Sequence, residues 1–243
     1  MIIMQKKVLS VNIDCLTMTQ VQERIFNWFA DGQLHWIVTA NPEIIVYSTH
    51  SQTYRQTLAA ADLRLPDGQG LVWATGAPER ITGVELAEQL LRYANQSQQR
   101  VLCIVRQDGR STLQEVQRAI SARAPQATIV VESVDMAHWQ DSISQIDWST
   151  INPHLILVGL GFPTQEYWLQ QAQTATLYSG IGMGVGGTFD FWTGIAQRAP
   201  DRWQRWGVEW LWRLLHQPQR LGRILTAVVV FPWLVIKERI KQK

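Results

Sequence analysis

Charge is scarce in this 243-residue chain: acidic and basic residues together make up 17% of it, against 46% hydrophobic residues. That excludes a disordered, solvated polymer, and it is less charge than an ordinary soluble surface carries, so something besides water is expected to cover part of the molecule. Cysteine is nearly missing too. Cys15 and Cys103 each sit in an apolar stretch without paired metal-ligand spacing, which argues against a disulfide framework and for a reducing, intracellular compartment. At the N-terminus, Lys6 and Lys7 are followed by no apolar stretch of the length a secretory signal needs, so the protein is expected to stay where it is made. The uncharged run 224–236 would span roughly 20 Å as a helix, short of the ~30 Å hydrocarbon core. It also contains Thr226 and Pro232, so a buried or interfacial segment is expected there.

Motifs of several chemistries are absent as well. No Asp-x-Asp pair occurs, and His35, His50, His138, His154 and His216 form no i, i+4 pair, so no metal site is expected. There is no Gly-x-Ser-x-Gly elbow, no phosphate-loop Gly-Lys-Ser/Thr, no internal repeat and no low-complexity linker.

The charge that is present is unevenly placed. Residues 198–243 hold 10 basic against 3 acidic residues, leaving 12 against 17 in the first 197. A mildly acidic body with a basic tail points to an anionic partner at the C-terminal end. The body alternates short β-branched runs (8–13, 36–39, 101–105, 128–131, 155–158) with helical candidates (42–61, 84–95, 112–123, 164–174). That alternation predicts βαβ units around a parallel sheet. In 177–187 glycine recurs at alternating positions, where another backbone or a ligand can approach closely. The composition shift at Arg198-Ala199-Pro200 predicts a boundary between a Rossmann-like domain, 1–197, and a helical appendage, 198–243, itself split at Pro218.

Three blocks follow predicted strands, at the edge of an α/β sheet where ligands bind. Thr39-Ala40-Asn41-Pro42-Glu43 reads either as a plain helix cap, with Asn41 at the cap and Pro42 in the first turn, or as part of a pocket. Leu65-Pro66-Asp67-Gly68 reads as a turn or as the placement of a functional carboxylate. Gly159-Leu160-Gly161-Phe162-Pro163-Thr164-Gln165-Glu166 begins like a dinucleotide loop, but Thr164 replaces the third glycine and no well-placed acidic residue closes the next strand. What survives is a helix N-terminus facing an anion such as phosphate.

In the tail, Trp203, Trp206, Trp210 and Leu214 share one helical face beside Arg202, Arg205, Glu209 and Arg213. Such a stripe suits either a helix docked on the sheet or one lying at an anionic membrane surface. Nucleic acid fits less well, given the acidic body and few lysines.

Together and in order, these blocks resemble the WecG/TagA/CpsF family of glycosyltransferases, the N-acetylmannosaminyltransferase type. Further matching text is Glu-Arg-Ile-Thr-Gly at 79–83, Gly-Val-Gly-Gly-Thr-Phe-Asp-Phe at 184–191, Arg-Ala-Pro at 198–200 and Glu-Trp-Leu-Trp-Arg-Leu at 209–214. The resemblance implies an inverting transfer from a UDP-sugar to a polyprenyl-diphosphate-linked sugar at the inner face of the cytoplasmic membrane, in surface-polysaccharide or teichoic acid synthesis. With no Asp-x-Asp or histidine pair in the chain, no metal and no other cofactor are expected. By the resemblance Asp67 is the general base, with Thr39 and Asn41 beside it in the sugar pocket. Arg80, Gln165, Gly159 and Gly161 fall at substrate-binding positions, and Arg213, Arg220 and Arg223 come from the appendage over the diphosphate. This chain has Gln217-Pro218-Gln219-Arg220 where the family commonly has Glu-Pro-x-Arg, and Leu221-Gly222-Arg223 where it is richer in arginine. The chemistry agrees: transfer needs a base for the acceptor hydroxyl, and guanidinium groups can hold the departing diphosphate where no metal does. Two other classes stay open, a non-catalytic nucleotide- or lipid-binding module that does not need Asp67, and a nicotinamide-dependent oxidoreductase. Self-association into a homo-oligomer stays open as well.

Overall fold

The computed structural model describes residues 4–29, 31–175, 179–200, 202, 203, 206, 209–216 and 221–241, the side chains of Arg213 and His216 excepted. A six-stranded parallel sheet in the order β4-β3-β8-β7-β5-β6 carries the fold, built from β3 (Leu34–Ala40), β4 (Leu63–Pro66), β5 (Arg100–Arg106), β6 (Thr128–Val134), β7 (Leu155–Val158) and β8 (Gly180–Gly184). β1 (Gln5–Val8) and β2 (Val11–Asp14) form a separate antiparallel hairpin. The predicted Rossmann-like α/β class is the observed one.

The sheet is covered on both faces because its strands alternate two apolar sets. Ile37, Cys103, Leu155, Leu157 and Met183 face a layer that includes Leu86 and Leu90 of α5 (Gly83–Gln96), Val116 and Ile120 of α6 (Leu113–Arg123) and Val21 of α1 (Met18–Trp28). Trp36, Val38, Leu102, Ile104, Ile156 and Val158 face the other layer. That layer includes α2 (Pro42–His50), α3 (Gln52–Ala60), α4 (Gln69–Thr75) and α9 (Thr164–Ala175). Short helices α7 (Ser142–Gln145), α8 (Trp148–Ile151) and α10 (Thr188–Trp192) complete the body. β7 and β8 are buried along their whole length, as an interior parallel strand requires.

Two predicted elements are divided in the structure. The run 8–13 turns at Leu9, which takes a left-handed φ of 52°, and so becomes parts of a hairpin. The helix predicted over 42–61 breaks at Ser51, whose extended backbone lets its hydroxyl accept the Tyr54 N–H at 3.2 Å and cap α3.

The tail contains α11 (Glu209–His216) and a continuous helix over 221–241. In that helix a π turn (Thr226–Val230) separates α12 (Leu221–Leu225) from α13 (Phe231–Lys241), immediately before Pro232. Pro218 lies outside the described residues. Beyond the predicted boundary near 198, the chain returns to the core. Ile224 and Phe231 are buried, and Phe231 joins the layer of Ile44 and Leu71 and meets Gly70 of α4. The tryptophan stripe is not core: Trp206 and Trp210 are exposed. Among the described residues no helix is long and apolar enough to cross a membrane.

Phe231→Ala should therefore lower unfolding free energy by about 3–5 kcal/mol, the usual cost of emptying a buried phenylalanine site. Trp233→Ala, on the exposed side of the same helix, should stay within about 0.5 kcal/mol of wild type in the same urea titration.

Candidate active site

The carboxyl ends of β3, β4, β5, β7 and β8 open into one cavity of about 440 Å³, within the range of small-ligand sites. The β3–β4 ladder builds its first wall. Ala40 pairs with Pro66, and the next N–H, that of Asp67, donates to the Ala40 carbonyl at 2.7 Å. Thr39, Asn41 and Asp67 are thereby brought to the same wall. Asn41 caps α2, its side-chain oxygen accepting the Ile44 N–H at 3.0 Å, so the helix-cap reading is realised within the pocket wall.

Asp67 is oriented from the opposite side by α5. Its Oδ2 accepts the Gly83 N–H at 3.2 Å, in the first turn of a helix whose cap, Thr82, accepts the Glu85 N–H. A Cβ on Gly83 would lie 2.8 Å from Thr39 Oγ1 and 3.8 Å from Asp67 Oδ2. Only glycine leaves room for the hydroxyl and the carboxylate to share this corner. Gly83 is thus a site residue the sequence did not single out, although it closes the Glu-Arg-Ile-Thr-Gly block.

Gly159, Gly161 and Gln165 follow β7 in the opposite wall. Gln165 is buried with both ends of its amide held by the protein: Oε1 accepts the Gly186 N–H at 3.0 Å, and Nε2 donates to Glu166 Oε1 at 2.7 Å. A Cβ on Gly184 would sit 2.6 Å from Gln165 Nε2, so the amide occupies the space of the missing side chain. Glu166 is itself buried and accepts from the Tyr54 hydroxyl at 3.1 Å. Burial pushes its carboxyl up to about 7, against the opposing pull of the Gln165 and Tyr54 hydrogen bonds. The Tyr54 hydroxyl is pushed up as well, by burial first and by the Glu166 charge second.

The remaining wall was not anticipated. Arg106 ends β5, Asp108, Arg110 and Ser111 follow it, and Asp190 lies in α10, after β8. Arg106 pairs with Asp108 through two hydrogen bonds of 2.9 and 2.7 Å, which hold the Asp108 carboxyl below the usual range. Ser111 donates to Asp190 Oδ1 at 2.7 Å and joins the β5 loop to α10. Asp190 belongs to the Gly-Val-Gly-Gly-Thr-Phe-Asp-Phe block, but the β5 loop carries no motif beyond a turn.

From the tail, Trp212 and Arg223 line the cavity. Arg223 pairs with Glu43 through Nε and lies over the Phe162 ring, 5.3 Å from its centre. Arg80 stands apart: it is not in the wall, and its Nη1 lies 3.9 Å from Glu209 Oε2, so it ties α11 to the body. The side chain of Arg213 and all of Arg220 lie outside the described residues. Among the described residues no cluster of three or more His, Cys, Asp or Glu is placed to hold a metal ion.

The chain matches the Glycosyl transferase WecG/TagA/CpsF family over residues 6–243. It is 31% identical to proteins of Staphylococcus aureus strains MW2, NCTC 8325 / PS 47 and MRSA252, covering 97% of this chain and 94% of each relative. Each of those relatives is named N-acetylglucosaminyldiphosphoundecaprenol N-acetyl-beta-D-mannosaminyltransferase.

The buried Glu166 makes stability depend on pH. Between its ordinary 4.5 and about 7 the folded chain keeps a proton that the unfolded chain releases. Stability is therefore highest below that window and falls as pH rises through it, by on the order of 3 kcal/mol for this one group. Urea titrations from pH 4.5 to 8 should show that decline in wild type and a flatter curve in Glu166→Gln.

Proposed function

The chain belongs to the WecG/TagA/CpsF family of glycosyltransferases, and from that premise we propose that it moves an N-acetylmannosamine residue from a UDP-sugar to a polyprenyl-diphosphate-linked N-acetylglucosamine. With enzymatic transfer established by family, the non-catalytic and nicotinamide alternatives lapse. The observation that carries this reading is the corner where Asp67, Thr39 and Gly83 meet at the carboxyl edge of β3 and β4. A carboxylate fixed by a backbone N–H beside a 440 Å³ cavity suits a base that takes the proton of an acceptor hydroxyl. As that oxygen bonds to the anomeric carbon from the face opposite the nucleotide, the bond from that carbon to the diphosphate oxygen breaks. The electron pair leaves with UDP, and the configuration inverts. Thr39 and Asn41 are assigned to the sugar hydroxyls, and Gly159 and Gly161 to the approach of the substrate. Arg223, with Arg213 and Arg220 from the same tail, is assigned to the departing diphosphate, for which guanidinium geometry is suited. Gln165 is assigned to shaping the wall, since its amide is already engaged.

The appendage, 198–243, is proposed to dock on the inner face of the cytoplasmic membrane, in cell-surface polysaccharide synthesis. Leu221, Leu225, Val229, Trp233, Ile236 and Ile240 are all exposed and recur at steps of three or four residues along 221–241. Arg223, Lys237, Arg239 and Lys241 accompany them. An apolar stripe flanked by basic residues suits an anionic lipid interface, each basic residue contributing about 1 kcal/mol near the surface.

Incubation with a panel of UDP-sugars and a short-chain polyprenyl-diphosphate N-acetylglucosamine, followed by UDP release, tests the reaction. Turnover with UDP-N-acetylmannosamine is expected, and turnover with none of the panel contradicts the assignment. Asp67→Asn should fold and bind donor but lose about 10²–10⁴-fold in turnover; a folded variant with wild-type turnover removes Asp67 from the mechanism. Combined Trp233→Ser, Ile236→Ser and Ile240→Ser should keep the melting temperature while cutting co-sedimentation with phosphatidylglycerol vesicles at least tenfold. Added salt should weaken wild-type binding. Unchanged co-sedimentation refutes the docking face.

A further inference from the structure

We propose that Glu166 and Tyr54 are positioning residues for the transfer reaction: they hold the Gln165 amide in one orientation, and through it the Gly184–Gly186 backbone in the shape that receives the donor. The inference rests on reading the cavity as the donor site, and its test separates the two.

A side-chain amide can present oxygen or nitrogen at either end. Here the end at Gly186 meets an N–H donor, so it must be oxygen, and the nitrogen is turned toward Glu166. An ionised Glu166 offers acceptors only, so the reversed amide would face oxygen with oxygen on one side and N–H with N–H on the other. The carboxylate thus selects the orientation that Gly186 needs. Tyr54 supplies the other half of the lock, its hydroxyl donating to Glu166 Oε2 from α3. The row Tyr54–Glu166–Gln165–Gly186 connects α3, α9 and the loop after β8. It is more than packing needs: a buried carboxylate is a costly way to fill a core position that an apolar side chain of the same size would fill without a desolvation penalty.

Protonation weakens the lock without breaking it. A neutral Glu166 can still accept from Gln165 but loses the charge-assisted bond and can donate to Tyr54 instead. Tyr54 of α3 is met edge-on by Tyr47 of α2 and Tyr167 of α9; α3 also carries Arg55, and α2 carries Glu43, paired with Arg223, and the exposed His50. β8 and α7 contribute no titratable side chain, and on β3 His35 belongs to the opposite face, against Trp28, Asp31 and Asp62. The pH response of the cavity wall near neutrality is therefore assigned to Glu166, whose carboxyl lies at about 7.

The experiment compares wild type, Glu166→Gln and Tyr54→Phe as folded proteins, measuring donor KM and kcat from pH 6 to 9. Glu166→Gln should raise donor KM on the order of tenfold at pH 8, the scale of one charged hydrogen bond, with a smaller change in kcat. Wild-type donor KM should rise below about pH 7, and the glutamine variant should show no such rise. Tyr54→Phe removes a hydrogen bond that favours the ionised carboxylate, so its midpoint should move to higher pH. A folded Glu166→Gln with wild-type donor KM and pH profile overturns the proposal, because a merely structural role changes melting temperature and not KM. Should that variant not fold, Tyr54→Phe decides: a raised midpoint supports the lock and an unmoved one overturns it. Wild-type protein that turns over none of the UDP-sugars, by contrast, marks failure of the donor-site reading itself, whatever the variants do.

Discussion

The Asp67 N–H on the Ala40 carbonyl, one residue past the paired ends of β3 and β4, is the contact on which the corner of Thr39, Asn41 and Asp67 depends. Two strands that end level with one another deliver Thr39, Asn41 and Asp67 side by side, although 26 positions separate Asn41 from Asp67. Parallel pairing makes this cheap to hold, because the buried apolar side chains of both strands fix the register. A one-residue slip would turn Ile37 and Leu65 out of their layer and take the carboxylate out of the corner. Placement of the site is thus a by-product of core packing, with Gly83 supplying the last directional contact.

Magnitudes separate what anchors the tail from what merely touches the body. The Arg223–Glu43 pair, whose arginine is half-exposed, falls in the range of about 0–1 kcal/mol measured for exposed pairs, and the less exposed Arg80–Glu209 pair is long, at 3.9 Å. Burying Phe231 stabilises by roughly 1.5–3 kcal/mol on apolar area alone, and Ile224 adds to it. The helix 221–241 is accordingly held by its inner apolar side, while α11 reaches the body through polar contacts and Trp212. The ion pairs set where guanidinium groups point more than how firmly the helix is attached.

Local sequence carried the corner's residues and much of the sheet. Asn41-Pro42 announces a helix start, Leu65-Pro66-Asp67-Gly68 a strand end and turn, and the glycines of 180–187 a place where something packs close. What was not legible depended on partners distant in the chain. Arg80 was assigned to substrate by the resemblance alone, and no local signal in the sequence points to its ion pair with Glu209, more than a hundred residues on. Glu166 in the first turn of α9 resembles an ordinary dipole-complementing residue, and only Tyr54 and the packing of α3 turn it into a buried acid. Arg106, Arg110 and Ser111 have no motif because a loop shaped by its contact with Asp190 needs none. The breaks at Leu9 and Ser51 are decided by single backbone angles that apolar periodicity does not register.

The π turn at Thr226–Val230 links the two ends of the proposed function. Pro232 has no N–H to give, so the helix must adjust in the preceding turn, and a π turn adds residues per rotation where it does so. Exposed positions then continue in steps of four from Leu221 through Trp233, keeping one apolar face along the whole helix. The same helix carries Arg223 on the cavity side, two residues and so about half a turn from the exposed Leu221 and Leu225. On the proposed reading, a helix resting in the interface by that face holds Arg223 and the cavity mouth at the level of lipid headgroups. A lipid-linked diphosphate lies at that level already. The acceptor then reaches Asp67 without its polyprenyl chain leaving the bilayer, a step that would cost about 0.8 kcal/mol for every methylene exposed to water.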